Sequence, residues 1–331
     1  MQLEAIAPIE NSPLRARDIA IPAPAAIEVL VRVLACGICR TDLHIIEGEL
    51  PPHRMPMVPG HQVVGVVEQC GSAAKRFKKG DRVGIAWLRY TCGKCRYCLA
   101  GNENLCPNAR FTGYDANGGY AQYAVVREDF GYALPPEMDP VKLAPLLCAG
   151  IIGFRALRRA NVTPGCRLGL YGFGSSASIA IQVARHWKCT TCVMTRDAKH
   201  QALARELGAT WVGGATDAPP DRLDSAVLFA PAGDLVLPAL EALDMGGTLA
   251  LAGIYLSDIP KLSYQTHLFH EKNLRSVTAN TREDGEGLLA LAAEIPLLPQ
   301  TTTFPLVDAN LALQQLKHDG ISGSGVLLVD Y

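Results

Sequence analysis

The chain has 331 residues, 49 % of them apolar and 19 % charged, with a formal net charge of −1. That balance excludes a disordered chain and a broad nucleic-acid-binding surface, and the length predicts two domains with a sizeable core. The longest uncharged stretch, between Arg167 and Arg185, holds glycines and serines at its centre, too short and loop-like to cross a bilayer.

The opening "MQLEAIAPIENSPLRARD" has no charged start leading into an apolar core. No secretory leader is expected, and a reducing cytoplasm is the expected setting. Residues 28–35, 62–70, 81–87 and 118–126 are β-branched runs with partial alternation, punctuated by Gly80-Asp81 and Asn117-Gly118-Gly119. They predict a β-rich lobe closed as a barrel. The basic run "RFKKGDR" at 76–82 reads as a solvated turn.

Within this lobe "TCGKCRYCLAGNENLC" sets Cys92, Cys95, Cys98 and Cys106 close together. Three thiols at C-x-x-C-x-x-C spacing compete as disulfide partners, and cytosolic disulfides are rare. A redox pair would need one C-x-x-C opening a helix. Four thiolates on a tetrahedral, closed zinc site fit the pattern, and such a zinc holds a lobe in shape and does no chemistry.

"LAPLLCAGIIGFRALRRA" (143–160) is apolar nearly all round and predicts one buried helix. Strands then alternate with helices: 167–172, 190–195, 225–230, 247–254 and 274–279 are the strands, which implies a parallel doubly wound sheet. A last helix, "GEGLLALAAEI", precedes a final strand that returns to the first lobe. In "LGLYGFGSSAS" the set Gly172-x-Gly174-x-x-Ala177 lies between strand and helix, the pattern of a dinucleotide-binding turn. An acidic residue ending the second strand would select NAD; here Thr195 stands there, followed by Arg196, a partner for a 2′-phosphate. Asp197 is expected to cap the next helix. NADP is therefore favoured over NAD.

The full order of motifs, C-R-T-D-x-H at 39–44, P-G-H at 59–61, the four-cysteine loop, then a Cys before a dinucleotide-binding unit, resembles the zinc-dependent alcohol dehydrogenases of the medium-chain dehydrogenase/reductase superfamily. The resemblance spans essentially the whole chain. It implies a GroES-like β-barrel catalytic domain (1–148 and 284–331) and a Rossmann domain (149–283). It implies a catalytic zinc on Cys39, His61 and Cys148, hence two zinc ions per chain. It makes Thr41 the hydroxyl that takes the alcohol proton, His44 the base that passes it on, and Asp42 the carboxylate that orients His61. Arg40 and Arg282 match positions that meet the cofactor pyrophosphate. Trp87 and Leu50 match pocket walls, with Leu50 where fermentative relatives place a second Trp. Gln62 replaces a usual Glu, and Ile152 a frequent Thr. The expected activity is reversible oxidation of a primary or simple secondary alcohol. The alternatives are an NADPH-dependent reductase of bulkier or aromatic aldehydes and, more remotely, a non-catalytic nicotinamide-binding sensor. The small-molecule substrate is the expected partner, with no nucleic acid or membrane, and a homodimer or homotetramer is expected through the sheet edge at "GTLALAGI".

Overall fold

The structure is a computed structural model that describes residues 1–330. The chain forms two compact units, one of residues 1–148, 279–293 and 298–331, the other of residues 149–278 and 294–297. The second junction expected from sequence, at 283/284, would cut the helix Arg282–Glu294 near its start; the first unit begins ahead of that helix.

The first unit is organised on one long strand, Glu28–Gly37. Val29, Val31, Val33 and Ala35 are fully buried, the inward half of the alternation. One side of this strand pairs antiparallel with Gln62–Cys70. The other is shared: Tyr123–Arg127 pairs with its first half and Ser324–Leu328 with its last residues. Two register shifts against Gln62–Cys70 mark bulges, which bend a strand and tighten its twist. Arg82–Ile85, Gly131–Ala133 and Thr301–Pro305 complete a seven-stranded sheet.

In the second unit six strands are all parallel. Their spatial order is Trp211–Gly213, Thr190–Met194, Arg167–Tyr171, Leu223–Leu228, Leu243–Leu251, Asn273–Ser276. In chain order this is 3-2-1-4-5-6, the dinucleotide-binding arrangement, with its switch point beside Arg167–Tyr171. One sequence expectation needs correction here. The strand carrying "GTLALAG" is internal, because Asn273–Ser276 covers it and forms the edge. The strand Trp211–Gly213 also escaped notice, its three half-buried residues being too few to show alternation.

The single helix expected over 143–160 is broken. A helical turn Pro140–Leu143 runs into a 3-10 turn, Ala144–Leu147, and Ala149–Arg159 is a separate helix. Cys148 between them has φ −135° and ψ −74°. Pro145 lacks an amide for the helical ladder, which favours the break. Among the described residues no single helix is long and apolar enough to cross a membrane.

Candidate active site

Cys39 ends the loop after the central strand and starts the helix Arg40–Ile46. Its sulfur accepts from the Thr41 amide at 3.3 Å, and its own amide donates to Asp42 Oδ2 at 2.9 Å. This is a capping box with a cysteine in the place of the usual hydroxyl. The cap points the Cys39 sulfur to His61 Nε2, 3.3 Å away. His61 follows Pro59-Gly60, where Gly60 has φ +95° and a Cβ would lie 2.3 Å from the Tyr120 ring. Only glycine fits there, so the turn delivers His61 in one orientation. Cys148 completes the group: the nearest donor atoms of Cys39, His61 and Cys148 all lie within 4.8 Å of one another.

Behind these three is Asp42, fully buried. Its Oδ1 faces His61 Nδ1 at 3.3 Å, and neither atom has another hydrogen-bond partner among the described residues. Its Oδ2 also accepts from the buried Tyr120 hydroxyl at 3.0 Å. Burial pushes the Asp42 carboxyl up while His61 pulls it down. The Cys148 thiol donates to Cys39, which drives Cys39 well down and Cys148 well up. Burial disfavours the His61 imidazolium, but the Cys39 sulfur and Asp42 outweigh it and raise His61 to about 10. Two sulfurs and one imidazole, converging and demanding positive charge, are a donor set that fits zinc with one coordination position left over.

Trp87 stands edge-on to His61 with ring centres 5.0 Å apart, and stacks on Phe111 at 4.9 Å. Tyr114 leans on the same indole. Phe111, Tyr114 and Tyr120 were not found from sequence, because their partners are distant in the chain. Leu50 packs against the same core, and its amide donates to the His44 carbonyl at 2.8 Å. Gln62 is buried, with Nε2 lacking an acceptor among the described residues. On the helix Arg40–Ile46, Thr41 and His44 are three residues apart and share a face. His44 Nδ1 is bonded to Glu49.

Cys92, Cys95, Cys98 and Cys106 also close on one point, with all four sulfurs within 4.8 Å of one another. Backbone amides of Lys94 and Cys95 point at Cys92 and hold it down at about 6, while burial pushes Cys98 up to about 11. A four-sulfur cage lined by amides fits a closed zinc site.

At the dinucleotide turn, Gly172 has φ +82° and a Cβ there would press on Ala230 at 2.8 Å. A Cβ on Gly174 would meet nothing, so that face of the backbone is open to a ligand. The helix Ser175–His186 begins there with no side-chain cap, and Ala177 is fully buried beneath it. Thr195 is buried at the end of the second strand, its amide bonded to Gly213. Asp197 caps the next helix, accepting from Lys199 at 2.8 Å and His200 at 3.2 Å. Arg196 between them is exposed.

The two arginines expected near pyrophosphate differ. Arg40 is half-exposed and pairs with the exposed Asp319 at 2.8 Å, a contact that solvent weakens. Arg282 is committed elsewhere. Its guanidinium grips Glu103 at 2.7 Å, caps the Phe130 ring at 4.5 Å, and its amide donates to Glu103 at 2.8 Å. The phosphate expectation for Arg282 is thus corrected: the carboxylate beside the four-cysteine loop already fills its fork.

Residues 25–136 match the alcohol dehydrogenase GroES-like domain, and residues 177–294 match the zinc-binding dehydrogenase family. The chain is 53 % identical over 327 residues to the "Probable alcohol dehydrogenase AdhA" of Mycobacterium tuberculosis, covering 97 % of this chain and 94 % of the relative. It is 34 % identical to an alcohol dehydrogenase of Geobacillus stearothermophilus, with 91 % of each covered. Among solved structures, the cinnamyl alcohol dehydrogenase SbCAD4 of Sorghum bicolor superposes with a TM-score of 0.85 at 27 % identity, covering 93 % and 92 % of the two chains. The Helicobacter pylori CAD complexed with NADP(H) does so with a TM-score of 0.84 at 25 % identity, covering 92 % and 91 %.

The Glu103–Arg282 pair sets a stability prediction. Burial raises the Glu103 carboxyl, but the Arg282 bonds outweigh it and hold it below its ordinary 4.5. A depressed carboxylate stabilises above that ordinary value, and the contribution fades as pH falls through the folded value. Glu103→Gln should cost about 1–2 kcal/mol at pH 7, discounted for the partly exposed Arg282. Urea unfolding at pH 7 and pH 4 should show the loss shrinking in acid; a pH-independent loss would refute the charge argument.

Proposed function

The chain belongs to the zinc-dependent alcohol dehydrogenases of the medium-chain dehydrogenase/reductase superfamily, and on that premise we propose a division of labour among its residues. The enzyme interconverts alcohols with aldehydes or ketones. The observation that carries the finer reading is the convergence of Cys39, His61 and Cys148 on one point beside Trp87. In this reading the first unit is catalytic and the second binds the dinucleotide. Cys39, His61 and Cys148 hold a catalytic zinc, and Cys92, Cys95, Cys98 and Cys106 a structural one, making two per chain. When bound, zinc supplies Lewis acidity to the substrate oxygen and nicotinamide accepts the hydride. Asp42 fixes the His61 tautomer by accepting from Nδ1, leaving Nε2 for metal. Thr41 takes the alcohol proton at its hydroxyl. His44 would accept the proton one step further out, a relay that the cofactor ribose would supply when bound. The uncapped helix amides after Gly174 offer donors to the cofactor phosphates, and Arg40 is kept as a proposed phosphate contact on the strength of the family resemblance.

A second substrate reading has its own support. Trp87 stacked on Phe111 makes a flat aromatic wall against His61, suited to a ring-bearing aldehyde, and a solved relative is named for cinnamyl alcohol. The cytoplasm remains the proposed setting. A homodimer or homotetramer is proposed through the exposed edge strand Asn273–Ser276, since open edges invite pairing.

Three measurements test this reading. Metal analysis should give two zinc ions per chain, with Cys148→Ser folded, short of one zinc and inactive, and Cys95→Ser impaired in folding; normal turnover by Cys148→Ser would sink the assignment. Thr41→Val should lose about 10²–10⁴ in kcat/KM, and His44→Gln far less, because water can replace a base one step removed; the reverse order would overturn the proton path. For the cofactor, Thr195 brings no charge and Asp197 is spent on its helix cap, so Arg196 is left to meet a 2′-phosphate. The ratio of kcat/KM for NADP over NAD should exceed one and fall about tenfold in Arg196→Ala. An outright NAD preference unmoved by the substitution removes the phosphate pocket.

A further inference from the structure

Cys166 and Cys189 belong to neither metal cluster and lie away from the glycine turn. Cys166 precedes the strand Arg167–Tyr171 and Cys189 precedes Thr190–Met194. Arg167 pairs in parallel register with Thr190, and the Thr190 amide donates to the Cys166 carbonyl at 2.9 Å. The two cysteines therefore stand side by side, one residue ahead of the ladder. Neighbouring strands run about 4.8 Å apart, within the Cα separation of about 4.4–6.8 Å that a disulfide tolerates. Their sulfurs are already 3.7 Å apart. Each residue keeps 8 % of its surface exposed.

The surroundings make the two sulfurs unequal. The Cys166 thiol donates to the Cys189 sulfur, which also lies 3.6 Å from the Thr163 carbonyl. The Cys166 bond lowers Cys189 to about 7 against the cost of burial, in the range of a reactive thiol. Cys166, as the donor and being partly buried, is pushed up and stays protonated. One sulfur is set as nucleophile and its neighbour as the group that resolves the product.

We propose that Cys166 and Cys189 are a reversible oxidation site, closed to a disulfide by a small hydroperoxide such as hydrogen peroxide. The Cys189 thiolate attacks the O–O bond: an S–O bond forms, O–O breaks, and the departing hydroxide takes up a proton to leave as water. The Cys166 sulfur then attacks the sulfenic Cys189, forming S–S and breaking S–O, and a second water carries off the Cys166 proton. Two thiols lose two electrons in all, and the peroxide is reduced to two waters. The bridge would bracket the strand Arg167–Tyr171, the Gly172 turn and the helix Ser175–His186, at the end of the strand opposite the turn. It ties down the base of the cofactor unit without entering the turn.

The test uses the full-length, zinc-loaded protein at neutral pH with a few-fold excess of hydrogen peroxide. Remaining thiols are alkylated, and digested peptides are read by mass spectrometry beside the zinc content. A Cys166–Cys189 linked pair, abolished by dithiothreitol while both zinc ions are kept, supports the proposal. In Cys166→Ser the oxidation should stop at a sulfenic acid on Cys189, trapped by dimedone. Cys189→Ser should leave Cys166 as a free thiol. Sulfinic acid on Cys189 of the unaltered protein would overturn it, as would oxidation of the zinc-cluster cysteines with Cys166 and Cys189 still free. The unaltered protein decides the matter even if a variant folds poorly.

Discussion

The first unit turns on one buried carboxylate. Asp42 has no exposed surface, and a charge so enclosed is tolerated only with its partners in place. Three converge on it: the Cys39 amide, the His61 ring and the Tyr120 hydroxyl. They arrive from a helix start, a glycine turn and a loop. Asp42 is thus both the capping residue that fixes where the helix begins and the acceptor that fixes how His61 is turned. Local helix chemistry and the orientation of the His61 ring are satisfied by the same two oxygens, and neither can shift alone.

The two cysteine-containing clusters are built on opposite plans. Cys92 to Cys106 lie within one short loop and need only local turns to meet. Cys39, His61 and Cys148 come from three distant segments, and a capping box, a Tyr-backed glycine turn and a broken helix each aim one donor. Cys148 illustrates this well. As a continuous helix, the segment would carry its sulfur at whatever angle the helix dictated; the non-helical backbone at Cys148 frees that angle.

What was legible in the sequence follows the same division. The Cys92–Cys106 spacing, the Gly172–Ala177 turn and the Asp197 cap are short-range patterns, and short-range chemistry leaves a readable signature. The Glu103–Arg282 pair joins residues 179 apart, and Tyr120 and Asp42 are 78 apart; nothing beside either member announces the other. Apolarity alone predicted one helix over 143–160, because hydrophobicity reports burial and is blind to where the backbone bends. The sheet edge was misjudged for a related reason: Leu243–Leu251 and Asn273–Ser276 both fall in segments read as strands, and only pairing decides which lies outermost.

The central strand Glu28–Gly37 is completed on one flank by Ser324–Leu328, with Val326 opposite Gly37, two residues short of Cys39. On the ribosome Glu28–Gly37 emerges long before Ser324–Leu328. The ladder that anchors the Cys39 loop cannot close until Ser324–Leu328 has been translated, whereas residues 149–278 are contiguous and can fold before it. The four-cysteine loop, being local, can close early. The four-cysteine cluster can therefore assemble first, while the Cys39 and His61 side chains are translated well before they are held in place.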